Sequence, residues 1–347
     1  MRVFRSLVNG LSGASVRGVA AIVVAIAAAF ALPGALPAAP VGTLGALYLH
    51  PTAMVDVGDG ARLALYCTGQ GTPTVLMDAG LGDGAFAWAT VQPQIARTTR
   101  VCSYDRAGYG FSRGLPLPRT SDRIVEEMRA LVLRAPLATP VVLVGHSFGS
   151  YNVRLFASRY PRLVAGMVLV DGSHENQDRL FPASDARAFA DWIRHERRCL
   201  AQARAGRTPT DPDCQQDPDP HFSPALDRLV AREYTRPQTL EAVLAEAQSF
   251  DRSADEVRAA RHPLGALPMV VVSSGRRGRS AGGGVSLADA YRTEAIWAHL
   301  QDDLATLSTH ADHVTVGNSG HYVQKDAPWV VIAAVQHVVA LVRGSGH

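Results

Sequence analysis

The sequence predicts an α/β protein with a mostly parallel central sheet covered by helices on both faces. Three observations carry that expectation. Short apolar runs bounded by Gly, Pro and Asp recur along the chain, segments with helical apolar spacing alternate with them, and one long helical stretch interrupts the alternation. The chain has 347 residues, 47% of them hydrophobic and 19% charged, enough for one large domain or two ordinary ones.

In chain order, "VDVGDGARLALYCTG" alternates around a Gly-Asp-Gly turn and reads as a hairpin over 55–68. "TPTVLMDAGLGDG" (72–84) is a buried strand running into a glycine-rich loop, and "RVCSYDRAGYGFS" (100–112) repeats that plan. Residues 121–135 have helical spacing, with Ser121 or Asp122 as the expected N-cap. Further strands are expected at 141–146, 164–171, 268–274 and 313–317, with helices at 148–159, 286–307 and 327–343. The last helix has Asp326 as expected cap and Pro328 in its first turn, where a missing N–H costs little. Residues 173–265 hold helical segments joined by the polar, Pro-rich "TPTDPDCQQDPDPHFSP" and no strong strand signal. The expected division is therefore a core of 41–172 and 266–347, with 173–265 inserted as a helical cap or lid.

Residues 1–40 stand apart. Arg2, Arg5 and Arg17 precede an uncharged stretch over 18–32, followed by Pro33 and small residues. This is the pattern of a signal peptide, or of an N-terminal membrane anchor if it is not cleaved; fifteen residues fall short of the roughly 20 a comfortable span needs. Export (secreted or periplasmic) is expected, with membrane association through 18–32 as its variant. Outside the cytoplasm disulfides persist, so Cys67, Cys102, Cys199 and Cys214 are candidates for bridges; four cysteines allow three pairings, and no spacing resembles a zinc site. A formal net charge of +3 gives no reason to expect nucleic acid as a partner, and the Arg276-Arg277-Gly278-Arg279 cluster reads as a solvated loop.

The chemistry centres on Gly145-His146-Ser147-Phe148-Gly149, which matches G-x-S-x-G. A sharp strand-to-helix turn needs small residues around it, exposes the serine Oγ and turns the next backbone N–H toward the same space. An apolar strand leads into this pentapeptide and a helical pattern follows it, so Ser147 is the candidate nucleophile. His146 is rejected as its base, because neighbours in a tight turn point apart. The pair His310 and His313 lacks companion ligands for a metal.

With "DRAGYGFS", "YPRLVAGMVLVDG" and "SGHYVQKDAP", this motif resembles the α/β-hydrolase fold superfamily, in its cap-bearing lipase, esterase and peptidase-like branch, over roughly residues 52–343. The resemblance implies the chain order serine, acid, histidine, and so His321 as base. In many members the acid follows the strand expected at 268–274, but "SSGRRGRSAGGG" offers no carboxylate there. Asp171 at the end of the preceding strand is the expected acid, with Glu175, Asp302, Asp303 and Asp312 as alternatives. The oxyanion hole falls to the backbone N–H groups of Leu81 and Phe148, Ala79-Gly80 standing where the family often has His-Gly. Asp78 and Asp83 are read as turn formers and Asp105 as structural. The family's strand order sets Cys67 beside Cys102, leaving Cys199 with Cys214.

The function implied is an exported serine hydrolase cleaving a carboxylic ester, or less readily an amide, of a small acyl substrate without cofactor or metal. The alternatives are a cofactor-free relative acting on another bond (carbon–carbon hydrolysis or perhydrolysis) and a non-catalytic binding protein that keeps the fold. Covalent labelling by a fluorophosphonate separates the last from the others. Epoxide hydrolysis and dehalogenation are disfavoured, since those relatives place an Asp where Ser147 stands.

Overall fold

The computed structural model describes residues 45–207, 214–215, 218–276 and 285–345. The expected signal or anchor segment 1–40, parts of the Pro/Asp-rich linker and Arg277 to Arg279 lie outside the described residues.

The hairpin comprises β1 (Ala53–Gly58) and β2 (Ala61–Thr68). It is followed by β3 (Val75–Asp78), the short helix α1 (Gln92–Ile95), β4 (Val101–Tyr104) and α2 (Ser121–Arg134). Next come β5 (Val141–His146), α3 (Gly149–Arg159) and β6 (Val164–Val170). Among the described residues, five helices separate β6 from the next strand: α4 (Gln177–Leu180), α5 (Ala183–Arg204), α6 (Pro224–Tyr234), α7 (Pro237–Gln248) and α8 (Phe250–Ala259). The chain then runs through β7 (Met269–Ser274), α9 (Leu287–Ala305), β8 (Ala311–Val316), α10 (Val323–Asp326) and α11 (Pro328–Gly344).

The eight strands form one sheet in the order β1-β2-β4-β3-β5-β6-β7-β8. The first two pairings are antiparallel and the rest parallel. Parallel strands are covered on both faces, which is why their sequences are continuous apolar runs. Successive residues still point to opposite faces. Leu76, Leu143, Met167 and Val271 pack with Ile124 and Met128 of α2 and Phe156 of α3, in one cluster. Val75, Val142, Val168 and Val270 pack with Val331, Val335 and Val338 of α11, in the other. Each such fully buried aliphatic side chain contributes about 1.5–3 kcal/mol of transfer free energy.

Two caps differ from expectation. Thr120, rather than Ser121 or Asp122, caps α2, its side chain accepting from Arg123 N; Ser121 already has helical geometry and gives its own N–H to Ser253 Oγ. Asp326 does not cap α11, whose N-cap is Ala327. The Asp326 carboxylate accepts instead from Gly320 N at 2.7 Å, tying down the residue before His321. The disulfides are Cys67–Cys102 and Cys199–Cys214. The first joins residues directly opposite one another on β2 and β4, and the second ties α5 to the linker. Among the described residues no helix is long and apolar enough to cross a membrane.

Candidate active site

The site is assembled at the C-terminal ends of adjacent parallel strands. Ser147 follows β5 with φ +49° and Asp171 follows β6 with φ +42°, both in the left-handed region that non-glycine residues seldom occupy. The two turns brace one another: Ser147 N donates to Val170 O at 3.2 Å, and Ser173 N donates to Ser147 O at 3.0 Å. Glycines make the Ser147 turn passable. A Cβ on Gly145 would stand 2.7 Å from Gly149 O, and one on Gly149 would stand 2.5 Å from Asp78 O.

His321 reaches this point from the loop after β8. Its Nε2 lies 2.9 Å from Ser147 Oγ and its Nδ1 lies 2.6 Å from Asp171 Oδ2. Asp171 is fully buried, whereas the His321 side chain is about one-third exposed. The other carboxylate oxygen, Asp171 Oδ1, accepts from Ser274 N at 2.9 Å, Ser274 Oγ at 2.9 Å and Trp297 Nε1 at 2.8 Å. With Oδ1 so engaged, Oδ2 is directed to the imidazole, which holds Nδ1 protonated and leaves the Nε2 lone pair facing the serine.

The alternative acids are engaged elsewhere. Glu175 pairs with Arg154 and Arg261, Asp303 with His174 and Arg261, Asp302 with His313, and Asp312 with His337. His146 is buried beside the site, its Nε2 3.1 Å from His321 O. His313 meets Ser273 and Asp302 rather than His310. Among the described residues, the group with metal-ligand spacing is His195, Cys199 and Cys214. Both sulfurs are in the disulfide, so neither is a thiolate ligand.

Leu81 and Phe148 flank the serine. Gly80 packs against it, since a Cβ there would stand 3.3 Å from Ser147 Cβ. Among the described residues neither the Leu81 nor the Phe148 backbone N–H donates to a protein acceptor, although Phe148 is fully buried. Unpaired buried N–H groups are rare and mark a place for an incoming acceptor.

The loop that carries Leu81 is held from below. Arg106 donates to Ala79 O at 2.7 Å, Gly80 O at 2.8 Å and Asp78 Oδ1 at 2.9 Å. Its Nε and Nη2 also bond both carboxylate oxygens of Glu246 on α7. Asp78 is thus no turn former: it ends β3 fully buried, its second oxygen accepting from Asn152 Nδ2. A carboxylate at a strand end with a guanidinium beneath it takes a pairing role that local sequence cannot distinguish from a turn. Asp105, read as structural, accepts from Tyr66 OH, Ala85 N and Phe111 N. Burial pushes the carboxyl groups of Asp78 and Asp105 above their ordinary range.

A family model described as the alpha/beta hydrolase fold matches residues 73–198, which include β3, β5, Ser147, β6 and Asp171. An uncharacterised protein of Bacillus subtilis is 25% identical over 270 residues, 78% of this chain and 85% of that one. An AB hydrolase superfamily protein of Gibberella zeae is 25% identical over 290 residues, 78% of this chain and 87% of that one. A solved structure from Pseudomonas aeruginosa, described as a probable hydrolytic enzyme, superimposes with a TM-score of 0.61 at 20% identity, over 84% of this chain and 95% of that one. The chain has the α/β-hydrolase fold, and over 73–198 it matches that family's model. It is a hydrolase.

Trp297, Ser274, Arg106 and Glu246 support the candidate site, and the sequence reading missed them. Ser274 carried a signal, because it ends β7, the strand after which many relatives bear the acid. Here that strand end supplies two donors to Asp171, which follows its neighbour β6. Trp297, in the middle of α9, carried none.

Proposed function

We propose that the protein is a serine hydrolase that cleaves carboxylic esters through an acyl-enzyme. The observation that supports this most directly is the hydrogen-bonded chain from Ser147 Oγ through His321 to Asp171. A serine hydroxyl becomes a competent nucleophile when an adjacent base takes its proton. Ser147 Oγ attacks the ester carbonyl carbon while its proton passes to His321 Nε2. The resulting imidazolium is stabilised by Asp171, and the tetrahedral oxyanion accepts from Leu81 N–H and Phe148 N–H. Collapse breaks the bond to the alcohol oxygen, which leaves with the proton from Nε2. Water then gives a proton to Nε2 and attacks the acyl carbon, and the second collapse returns that proton to Ser147 Oγ as the acid departs.

The protein is further proposed to be exported, on the basic leader ahead of residues 18–32 and the two disulfides. Turnover of short p-nitrophenyl esters tests the chemistry. Wild type is expected to hydrolyse them, and Ser147→Ala or His321→Ala to fall to the background rate. Wild-type activity in either variant would refute the assignment.

A further inference from the structure

Between the loop after β3 and the cap helices lies a cavity of about 230 Å³, whose walls include Leu81, Asp83, Trp192, Glu196, Tyr234 and Tyr322. Both charged side chains on its wall are acids, among the described residues. Asp83 is 6% exposed. Its Oδ1 accepts from Tyr234 OH at 3.2 Å, and its buried Oδ2 has no partner at hydrogen-bonding distance, although Tyr322 also faces the carboxyl. Glu196 is half-buried on α5; burial pushes its carboxyl above the ordinary range, and the neighbouring His195 offsets this in part.

Nearby cations do not satisfy these carboxylates. Lys325 and Arg106 act on Asp83 from a distance, but neither lines the cavity. Lys325 Nζ pairs with Asp219 at 3.3 Å, and Arg106 is held by Asp78 and Glu246. A buried carboxylate oxygen without a donor is costly, and it gains most from a charged N–H donor. Trp192, Tyr234 and Tyr322 add aromatic surface that suits a cation.

The cavity is also close to the nucleophile. His146 Nδ1, Asp83 Oδ2 and Ser147 Cβ lie 3.0 Å, 3.2 Å and 3.3 Å from one point, the position a Gly80 Cβ would take. That spacing has room for an ammonium on Asp83 and a carbonyl carbon at Ser147 Oγ when the two groups are α to one another, and Leu81 and Tyr322, which adjoins His321, line the cavity on that side. We propose that the cavity is a subsite for the ammonium group of an α-aminoacyl substrate, bound by Asp83 and Glu196. This rests on the serine hydrolase reading for the bond that is cleaved, and adds to it the class of acyl group selected.

The test compares L-alanine benzyl ester with benzyl isobutyrate, which has the same shape without the charge, at about pH 6, where an α-amino group stays protonated. Wild-type kcat/KM is expected to favour the alanine ester by at least about tenfold, the scale of one charge-assisted hydrogen bond. That ratio should collapse toward one in Asp83→Asn and fall part of the way in Glu196→Gln, a change on a half-buried helix position that keeps the fold if the first does not. Equal rates for the two esters, or a preference surviving in both variants, would overturn the proposal. Calorimetric binding of the same two esters to Ser147→Ala must show the same preference, and its absence there also overturns it. Failure of the serine reading looks different: neither ester is turned over and no fluorophosphonate label is taken up, while the binding comparison still decides the subsite.

Discussion

Asp171, the proposed acid, shows how a carboxylate's geometry is set by its neighbours. Three donors converge on Oδ1, so Oδ2 and His321 Nδ1 have a single arrangement. Asp171→Asn replaces an acceptor by an amide that favours the wrong imidazole tautomer, and kcat is expected to fall by about 10⁴; near-wild-type turnover would move the acid elsewhere. Trp297→Phe keeps the ring volume and removes one N–H. It should lower kcat about tenfold with KM little changed, on the scale of a hydrogen bond to a charged group; steady-state kinetics reads both constants, and an unchanged kcat would remove Trp297 from the site. Ser147 and His321 could be found from sequence because a strand, a glycine turn and chain order all mark them. The donors to Asp171 could not, because Trp297 is 126 positions away and its indole N–H matters only through distance in space.

At the scale of elements, the strands and helices were legible because burial on two faces writes continuous apolar runs. The cap of α2 was misplaced by one or two residues, because Thr120, Ser121 and Asp122 compete locally, and that of α11 by one, because the Asp326 carboxylate is engaged by Gly320 N. The ion pair joining β3 and its loop to the cap was not legible, since Asp78, Arg106 and Glu246 are far apart in the chain. Arg106 bonds both carboxylate oxygens of Glu246, and both side chains are fully buried. Glu246→Gln is expected to destabilise the fold by about 3–5 kcal/mol, because a buried guanidinium loses its counter-charge; urea unfolding measures it, and a loss below 1 kcal/mol would contradict the coupling. Glu175, between α3 and the cap, is also tied by charge. Burial pushes its carboxyl up, but Arg154, His174 and hydrogen bonds from Arg261 and Arg154 outweigh this and hold it well below the usual carboxylate range. Its folded-state value is depressed, so its stabilisation is fully present above the unfolded value of about 4.5 and is lost as pH falls through the folded value. Glu175→Gln should therefore lie furthest below wild type in stability near neutral pH and converge toward it in acid. A pH-independent difference would contradict this reading.

The whole molecule brings positions 147, 171 and 321 to one end of a single sheet, and its two disulfides hold separate parts of that arrangement. Cys199–Cys214 closes a 15-residue separation in the cap, worth about 3 kcal/mol in the chain-entropy view, and Cys67–Cys102 cross-links the antiparallel end of the sheet. A reducing agent is expected to lower the thermal midpoint by several degrees, seen by calorimetry under matched conditions; an unchanged midpoint with both bridges shown to be reduced would argue against a stabilising role. The central claim, that folding turns Ser147 into an activated nucleophile, is tested most directly by treating native protein with a fluorophosphonate and mapping the adduct by mass spectrometry. The account predicts one stoichiometric adduct, located on Ser147, that does not form when the protein is denatured before treatment or in His321→Ala. An ester-hydrolysing protein that takes up no label, or carries it on another residue, would contradict it.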